Sequence, residues 1–235
     1  MRIGIISDIH SNLEALNKVL AEIAKEGVEE VWCLGDVVGY GADPNECVDL
    51  VRDRCRVCIG GNHDWASIGK TDITYFNPVA KAAVLWTKDE LTEANIRFLE
   101  QLDLEWKDDR FLLVHATPSA PDKWHYLFDR AEYQKEFDHF KETVCFIGHS
   151  HIPGFVDDRL KLHYPPLDLD PKSRYIINVG SVGQPRDGDP RASFAIVDNN
   201  RIELRRVGYD VDKTREKILK AGLPVFLAER LMVGR

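Results

Sequence analysis

Apolar residues in the first sixty positions follow two alternating periodicities. Short β-branched runs predict buried strands at Ile3–Ser7, Val31–Leu34 and Val57–Ile59. Helical spacing separates them, with one helix expected after an S-x-x-E capping box at Ser11 and another after a D-P pair at Asp43. This strand–helix–strand–helix–strand order predicts a parallel sheet with right-handed crossovers.

The rest of the chain combines a helical middle with a second series of strands. Apolar residues recur at helical spacing over 77–102, an aromatic-rich stretch covers 124–140, and two short helices broken at 222–224 are predicted in the tail. The later strands are predicted at 111–114, 144–147, 154–156, 160–163, 175–179, 193–197 and 202–204. We therefore expect an α/β (α+β) fold, in one domain over residues 1–235 with a helical cap-like insertion at about 70–105.

Composition and charge narrow the classes of protein. A chain with 44% hydrophobic and 30% charged residues is typical of a globular protein, and no apolar run is long enough for a transmembrane helix. The net charge of −8 argues against binding to long nucleic acids. An odd number of cysteines, five, without a recognisable secretory signal predicts reduced thiols and a cytoplasmic location. Cys55 and Cys58 form a lone CxxC, for which a buried strand is favoured over a zinc or redox site.

Ligand-type side chains follow five of the predicted strands. They are Asp8 and His10, then Asp36, then Asn62, His63 and Asp64, then His115, and finally His149 and His151. The C-terminal ends of strands in an open α/β sheet lie along one edge, so we expect one shared site. On extended segments, D-x-H and H-x-H would direct both side chains to the same side. Asp and neutral His suit Zn²⁺, Mn²⁺ or Fe.

The evidence lies in the complete series, because each part has an ordinary structural explanation. A single Asp at a strand end is usually a turn or cap residue, and a single His usually has a structural role. The series D-x-H, G-D, G-N-H-D, H and G-H-x-H resembles the signature of the calcineurin-like metallophosphoesterase family and spans residues 8–151. The stretch N-V-G-S-V-G-Q-P-R at 178–186 is similar to the family's bacterial and archaeal branch of diadenosine-tetraphosphatase-like enzymes.

This resemblance implies a four-layer αββα sandwich that holds two divalent metal ions, with Mn²⁺, Fe and Zn²⁺ as the candidates. Asp36 would bridge the two metals, and His63 would be the catalytic residue that donates a proton or hydrogen bond to the substrate or leaving group. The remaining six would each bind a single metal, namely Asp8, His10 and His151 for one and Asn62, His115 and His149 for the other.

One motif departs from part of the family. The protein Ser/Thr phosphatases carry G-D-x-x-D-R-G, whereas the residues here are G-D-V-V-G-Y-G at 35–41. The second Asp and the phosphate-binding Arg are therefore missing, which disfavours a protein phosphatase and leaves the partner of His63 unassigned. Arg186, in a Gly/Pro-rich loop, is either a replacement for that arginine or a solvated loop charge.

The sequence thus predicts a phosphoesterase that acts on small phosphodiesters, phosphomonoesters or dinucleoside polyphosphates, with a metal-bridging hydroxide as the attacking group. A non-catalytic scaffold and a metal-dependent nucleotide-binding protein are the alternatives on the same fold. Aromatic residues of the middle region can stack on a nucleobase, although at helical spacing they more often belong to a core. The aromatic candidates are Trp86, Trp124, Tyr126 and Phe128. The apolar tail at 225–233 can pack on the domain or on a second subunit, which would make a homo-oligomer.

Overall fold

The computed structural model describes all 235 residues, and its twelve strands form two six-stranded sheets. The strands are β1 Arg2–Ile6, β2 Glu30–Cys33, β3 Val57–Cys58, β4 Glu105–Lys107, β5 Phe111–Val114, β6 Val144–Ile147, β7 Gly154–Asp157, β8 Leu162–His163, β9 Leu167–Asp168, β10 Tyr175–Asn178, β11 Ala192–Asp198 and β12 Arg201–Val207. The first sheet has the order β3-β2-β1-β11-β12-β9, and the second has the order β4-β5-β6-β10-β7-β8.

Eight α-helices connect or flank the strands. They are α1 Leu13–Lys25, α2 Pro44–Arg54, α3 Asn62–Ser67, α4 Pro78–Glu90, α5 Glu93–Glu100, α6 Arg130–Glu136, α7 Val211–Lys220 and α8 Val225–Glu229. None of them combines the length and the apolar character that crossing a bilayer requires.

Parallel pairing brings the C-terminal ends of several strands to one edge. Strand β1 pairs in parallel with β2, and β2 in parallel with β3, so the predicted strand–helix–strand–helix–strand unit is confirmed. In the second sheet β5, β6 and β10 are also parallel neighbours. The segments that follow β1, β2, β3, β5 and β6 carry the ligand-type residues, and the parallel pairings set the direction of these strands within each sheet.

The core is divided among the interfaces of a four-layer αββα sandwich. Ile5, Trp32 and Phe146 belong to the apolar cluster between the two sheets. On the outer face of the first sheet, apolar residues of α1, α2 and α5 form a second cluster. On the outer face of the second sheet, Phe137 and Phe140 at the end of α6 cover β5, β6 and β10. The fold expected from the family resemblance is confirmed.

Three local predictions differ from the structure. The helical pattern over 77–102 is two helices, because Thr92 caps a new helix after α4 ends. Strands β4 and β9 were not predicted, since each has only two or three residues and at least one of them is exposed. Helix α1 is capped by Asn12 rather than Ser11, because Ser11 has φ +53° and belongs to the turn that follows β1.

Asn12 connects three parts of the chain. Its side chain caps α1, donates to the carbonyl of Gly183 at 2.8 Å and lies 3.1 Å from the hydroxyl of Thr214 in α7. We expect Asn12→Ala to lower the free energy of unfolding by about 2–3 kcal/mol, because it removes a cap and leaves a buried carbonyl without its partner.

Asn77→Ala is the matched control, since Asn77 accepts only the capping hydrogen bond of α4. It should cost about 1 kcal/mol, as caps usually do. Urea denaturation of both variants measures the difference, and equal costs would show that the additional contacts of Asn12 are energetically negligible.

Candidate metal centre

Six of the predicted ligands form two groups of ligand atoms at the shared edge. In each group the atoms lie within 4.8 Å of one another, and every residue is buried. The groups are Asp8, His10, Asp36 and His151, and Asp36, His115 and His149. The seventh, Asn62, begins α3, and its buried Oδ1 has no hydrogen-bond partner. Asp36 belongs to both groups, so the two lie side by side.

The backbone at these ligands is in an unusual conformation. Five of them have positive φ, namely Asp8 at +54°, His10 at +50°, Asp36 at +51°, His149 at +64° and His151 at +61°. The left-handed region is uncommon for residues other than glycine and costs roughly 1–3 kcal/mol at each position. The expectation of extended D-x-H and H-x-H segments is therefore wrong, because sharp turns rather than strand alternation bring each pair together.

Backbone N–H groups hold the two carboxylates in place. The N–H of His149 donates to both oxygens of Asp8, at 3.2 and 3.1 Å, and the N–H of His63 donates to Oδ1 of Asp36 at 2.8 Å. Burial opposes ionisation of both groups, but the neighbouring His151 and His115 rings hold the pKa of Asp8 and of Asp36 well below its usual range. Both carboxylates are therefore ionised at neutral pH.

Three histidine rings are oriented by main-chain carbonyls. Each uses Nδ1 for this hydrogen bond, His10 with Val38 at 3.1 Å, His115 with Leu34 at 2.8 Å and His151 with Gln184 at 2.6 Å. Since a carbonyl only accepts, each Nδ1 carries the hydrogen, and a neutral ring presents a lone pair at Nε2. Metal-binding histidines are oriented in this way, with the non-ligating nitrogen donating to a carbonyl.

The Nε2 atoms of these rings lie close to one another and to the two carboxylates. Nε2 of His10 lies 3.1 Å from Nε2 of His151, which is itself 3.2 Å from Oδ1 of Asp8. Nε2 of His115 lies 3.3 Å from Oδ2 of Asp36. Burial opposes protonation of this ring, but the charges of Asp36 and Asp8 raise the pKa of His115 to about 10, so without a metal the ring carries a proton. Burial lowers the pKa of His10 and of His151, so both rings are neutral at pH 7. A cation among these atoms would turn repulsion into attraction, so the donor set fits a divalent metal.

His149 is held differently from the other rings. Its Nε2 donates to the carbonyl of Trp124 at 2.9 Å, which leaves the lone pair of Nδ1 available to a metal, and the Tyr126 ring stacks on it at 4.1 Å. Burial, followed by the charge of His115, lowers the pKa of His149 to about 3. The role of the Trp124 carbonyl was not predicted, because every residue has a main-chain carbonyl and no side-chain pattern marks this one; Trp124 itself has φ +58°.

His63 lies beside the two groups and lines an open cavity. Its ring is 4.3 Å from that of Tyr40 and 5.4 Å from that of Phe76, and its buried Nδ1 has no partner. Burial lowers the pKa of His63 to about 4. Asp64 does not orient this ring, because its carboxylate accepts from the backbone N–H of Gly61 and Val38.

Part of the aromatic set borders the same cavity, which has a volume of about 410 Å³, and Arg186 lies beside Tyr40 in its wall. The guanidinium of Arg186 donates to the side-chain oxygen of Gln184 and lies 5.7 Å from the Tyr40 ring centroid. Trp124 and Tyr126 line the cavity, together with Tyr75 and Phe76. Two other predicted aromatics do not line it, since Trp86 packs against the core of α4, α7 and α8 and Phe128 stacks on the outer side of Tyr126.

Comparison with known proteins gives consistent results. Residues 1–201 match the Calcineurin-like phosphoesterase superfamily domain. An uncharacterized protein of Methanocaldococcus jannaschii is 46% identical, over 99% of this chain and 98% of its own length. The crystal structure of a metallophosphoesterase from Sphaerobacter thermophilus has a TM-score of 0.90 and 42% identity, and covers 100% of this chain and 99% of that one. A hypothetical protein of Pyrococcus horikoshii OT3 has the same fold, with a TM-score of 0.82 and 21% identity over 100% and 98% of the two chains.

A substitution at Gly148 tests how closely the segment after β6 must approach the segment after β1. A Cβ on Gly148 would overlap the Ser7 hydroxyl and Oδ2 of Asp8, whereas a Cβ on Gly154 would meet nothing. We expect Gly148→Ala to displace the Asp8 carboxylate, to lose most bound Mn²⁺ and to cost about 1–3 kcal/mol of stability. Gly154→Ala should retain its metal. Elemental analysis of both purified variants measures this, and full metal content in Gly148→Ala would contradict the required proximity.

Proposed function

Because the chain belongs to the calcineurin-like phosphoesterase superfamily and is a metal-dependent phosphoester hydrolase, we propose that it uses two divalent ions to hydrolyse small phosphodiesters, phosphomonoesters or dinucleoside polyphosphates. The observation that carries this proposal is the buried pair of imidazole nitrogens of His10 and His151, 3.1 Å apart, beside the ionised Asp8. Neutral rings in this arrangement repel each other unless a cation lies among them.

Asp36 has a central place in the proposal. It belongs to both groups of ligand atoms, which supports a bridging role between two metals. Asp8, His10 and His151 would complete the first site, and Asn62, His115 and His149 would complete the second. Two ions of Mn²⁺, Fe or Zn²⁺ would polarise the phosphoryl oxygens and activate a water for in-line attack on phosphorus. The carboxylates are already ionised and the His10, His149 and His151 rings already neutral, whereas His115 would have to release a proton when metal is loaded.

His63 would act on the leaving group. It lines the cavity at the centre but is in neither group of ligand atoms, and its depressed pKa makes the ring neutral at pH 7. A neutral imidazole can donate one N–H to the departing oxygen, and transfer of that proton would neutralise the alkoxide. Arg186, beside Tyr40, would place a positive charge near the phosphoryl group.

The cavity supports a small substrate with an aromatic group. Its walls include Tyr75, Phe76, Trp124 and Tyr126, and stacking on such rings tolerates any nucleobase. Residues 71–80 form one wall, so we propose that the 70–105 segment is the cap of a single domain over 1–235. The five free thiols suit a reducing compartment such as the cytoplasm.

The direct test is an assay of the Mn²⁺-reconstituted protein with bis(p-nitrophenyl) phosphate and p-nitrophenyl phosphate. We expect release of nitrophenol that EDTA abolishes and added Mn²⁺ restores. A metal-loaded protein that hydrolyses neither ester, nor any member of a nucleotide and dinucleoside polyphosphate panel, would favour the alternative of a binding or scaffold protein.

His63→Ala should separate catalysis from metal binding. We expect turnover to fall by about 10²- to 10⁴-fold, because the leaving group loses its proton donor, while metal content is unchanged. His139→Ala is the matched control, since His139 is exposed and remote from the cavity. Parallel loss of metal and turnover in His63→Ala would show that His63 is a ligand instead.

Asp36→Asn should affect both metals together. Losing the shared negative charge weakens both sites, so we expect metal content to fall well below that of the exposed control Asp138→Asn. Mass spectrometry of the metal in each purified variant gives the stoichiometry. Loss of one ion with full retention of the other would rule out the bridging role.

A further inference from the structure

The loop after β10 is buried beside the ligands without contributing a ligand of its own. It covers residues 179–184, within the N-V-G-S-V-G-Q-P-R stretch, and we call it the β10 loop. Every residue of the β10 loop is buried, yet none belongs to the two groups of ligand atoms and none lines the 410 Å³ cavity. Its contacts therefore act on the residues that hold the ligands.

Backbone N–H groups of the β10 loop bind the turn that follows β1. The N–H of Val182 donates to the carbonyl of Ser7, and the N–H of Gly183 donates to the carbonyl of Asp8, both at 2.9 Å. A Cβ on Gly183 would overlap the carbonyl oxygen of Ile9, so the close approach requires glycine. These hydrogen bonds act on the main chain at Asp8, whose φ of +54° is unfavourable without such support.

The Ser181 hydroxyl connects the main chain of Asp8 to the residue that orients His151. It donates to the carbonyl of Asp8 and accepts from the N–H of Gln184, both at 2.8 Å. The carbonyl of Gln184 in turn accepts from Nδ1 of His151 at 2.6 Å. Ser181 is fully buried, so no water replaces these hydrogen bonds. One hydroxyl therefore fixes two ligands, whose Oδ1 and Nε2 atoms lie 3.2 Å apart.

The last residue of β10 holds the other turn of the centre, the one that follows β6. Nδ2 of Asn178 donates to the carbonyl of Gly148 at 2.6 Å and to the hydroxyl of Ser150 at 3.0 Å, and Oδ1 of Asn178 accepts from the N–H of Gly180 at 2.9 Å. The turns after β1 and β6 are thus both hydrogen-bonded to one short segment. This segment sets the distance between them.

We propose that Ser181 is a positioning residue for the first metal site, which includes Asp8 and His151. Its hydroxyl contacts neither ligand side chain and acts through the Asp8 main chain and the Gln184 carbonyl. The inference rests on the proposed function, because it requires that Asp8 and His151 bind the same ion. Groups that support metal ligands from behind typically change metal affinity by about 10- to 100-fold when they are removed.

The test is titration of the Mn²⁺-loaded full chain with the chelator nitrilotriacetate, with the protein-bound Mn²⁺ counted by mass spectrometry. In Ser181→Ala we expect the affinity for one of the two ions to fall by about 10- to 100-fold, because Asp8 and His151 lose their common support, and the affinity for the other ion to change much less.

Ser193→Ala is the matched control. The Ser193 hydroxyl is also fully buried and donates to the carbonyl of Val179 at 2.8 Å, so it binds the same loop without contacting a ligand or the residue that orients one. Both substitutions remove one buried hydroxyl, and a general loss of stability would affect them alike. Ser193→Ala should retain both ions as tightly as the wild type.

Electron paramagnetic resonance gives a second readout that a loss of stability alone would not produce. At a chelator concentration at which the wild type retains both ions, Ser181→Ala should show the signal of an isolated Mn²⁺. Ser193→Ala should show the signal of a coupled pair. If Ser181→Ala does not fold, Ser181→Cys decides by the same comparison, because a thiol is a weaker hydrogen-bond donor and should give an intermediate loss.

Equal Mn²⁺ retention in the Ser181 and Ser193 variants, or an equal loss of both ions in Ser181→Ala, would overturn the positioning role. Because binding is measured without turnover, the result is independent of the assay with nitrophenyl esters. A wild type that binds only one ion would contradict the two-metal proposal, and loss of that ion from Ser181→Ala but not from Ser193→Ala would still support the role of Ser181. Ester hydrolysis together with equal retention in both variants would contradict the role of Ser181 alone.

Discussion

A buried cluster of lone pairs and negative charges sets the main constraint on this structure. His10 and His151 present unprotonated nitrogens to each other at 3.1 Å, and the ionised Asp8 and Asp36 lie against His151 and His115. In an interior of low polarity such groups are strongly unfavourable without a compensating positive charge. The surrounding fold supplies hydrogen bonds that fix these groups and one protonated ring, His115 beside Asp36. No side-chain cation lies between His10, His151 and Asp8, and a metal ion would supply the positive charge there.

The sandwich provides the rigidity that this arrangement requires. Close packing between two sheets leaves the strand ends little freedom, so the turns after β1, β2 and β6 can hold five residues with positive φ. Strain of this kind persists where the surrounding structure over-determines the backbone, and it concentrates at functional sites. The tail adds further support, because α7 and α8 pack beside Tyr40, which lines the cavity.

Much of this architecture could be predicted from the sequence, and the missing parts have identifiable causes. The parallel strands could be predicted because short β-branched runs alternate with helical spacing. The candidate metal ligands could be predicted because Asp and His residues follow those runs. The backbone conformation of these residues could not be predicted, since the left-handed turns at Asp8 and His149 depend on tertiary packing that no local sequence pattern records. The contact between the Trp124 carbonyl and His149 was also invisible, because every residue has a main-chain carbonyl and the two positions are far apart in sequence.

The central claim is that the two groups of ligands bind a pair of cations that share Asp36. Anomalous diffraction from crystals grown with Mn²⁺ tests it most directly. The account predicts two manganese peaks per chain, about 3.5–4 Å apart, with Asp36 in contact with both. A single peak, or two peaks of which only one contacts Asp36, would contradict it.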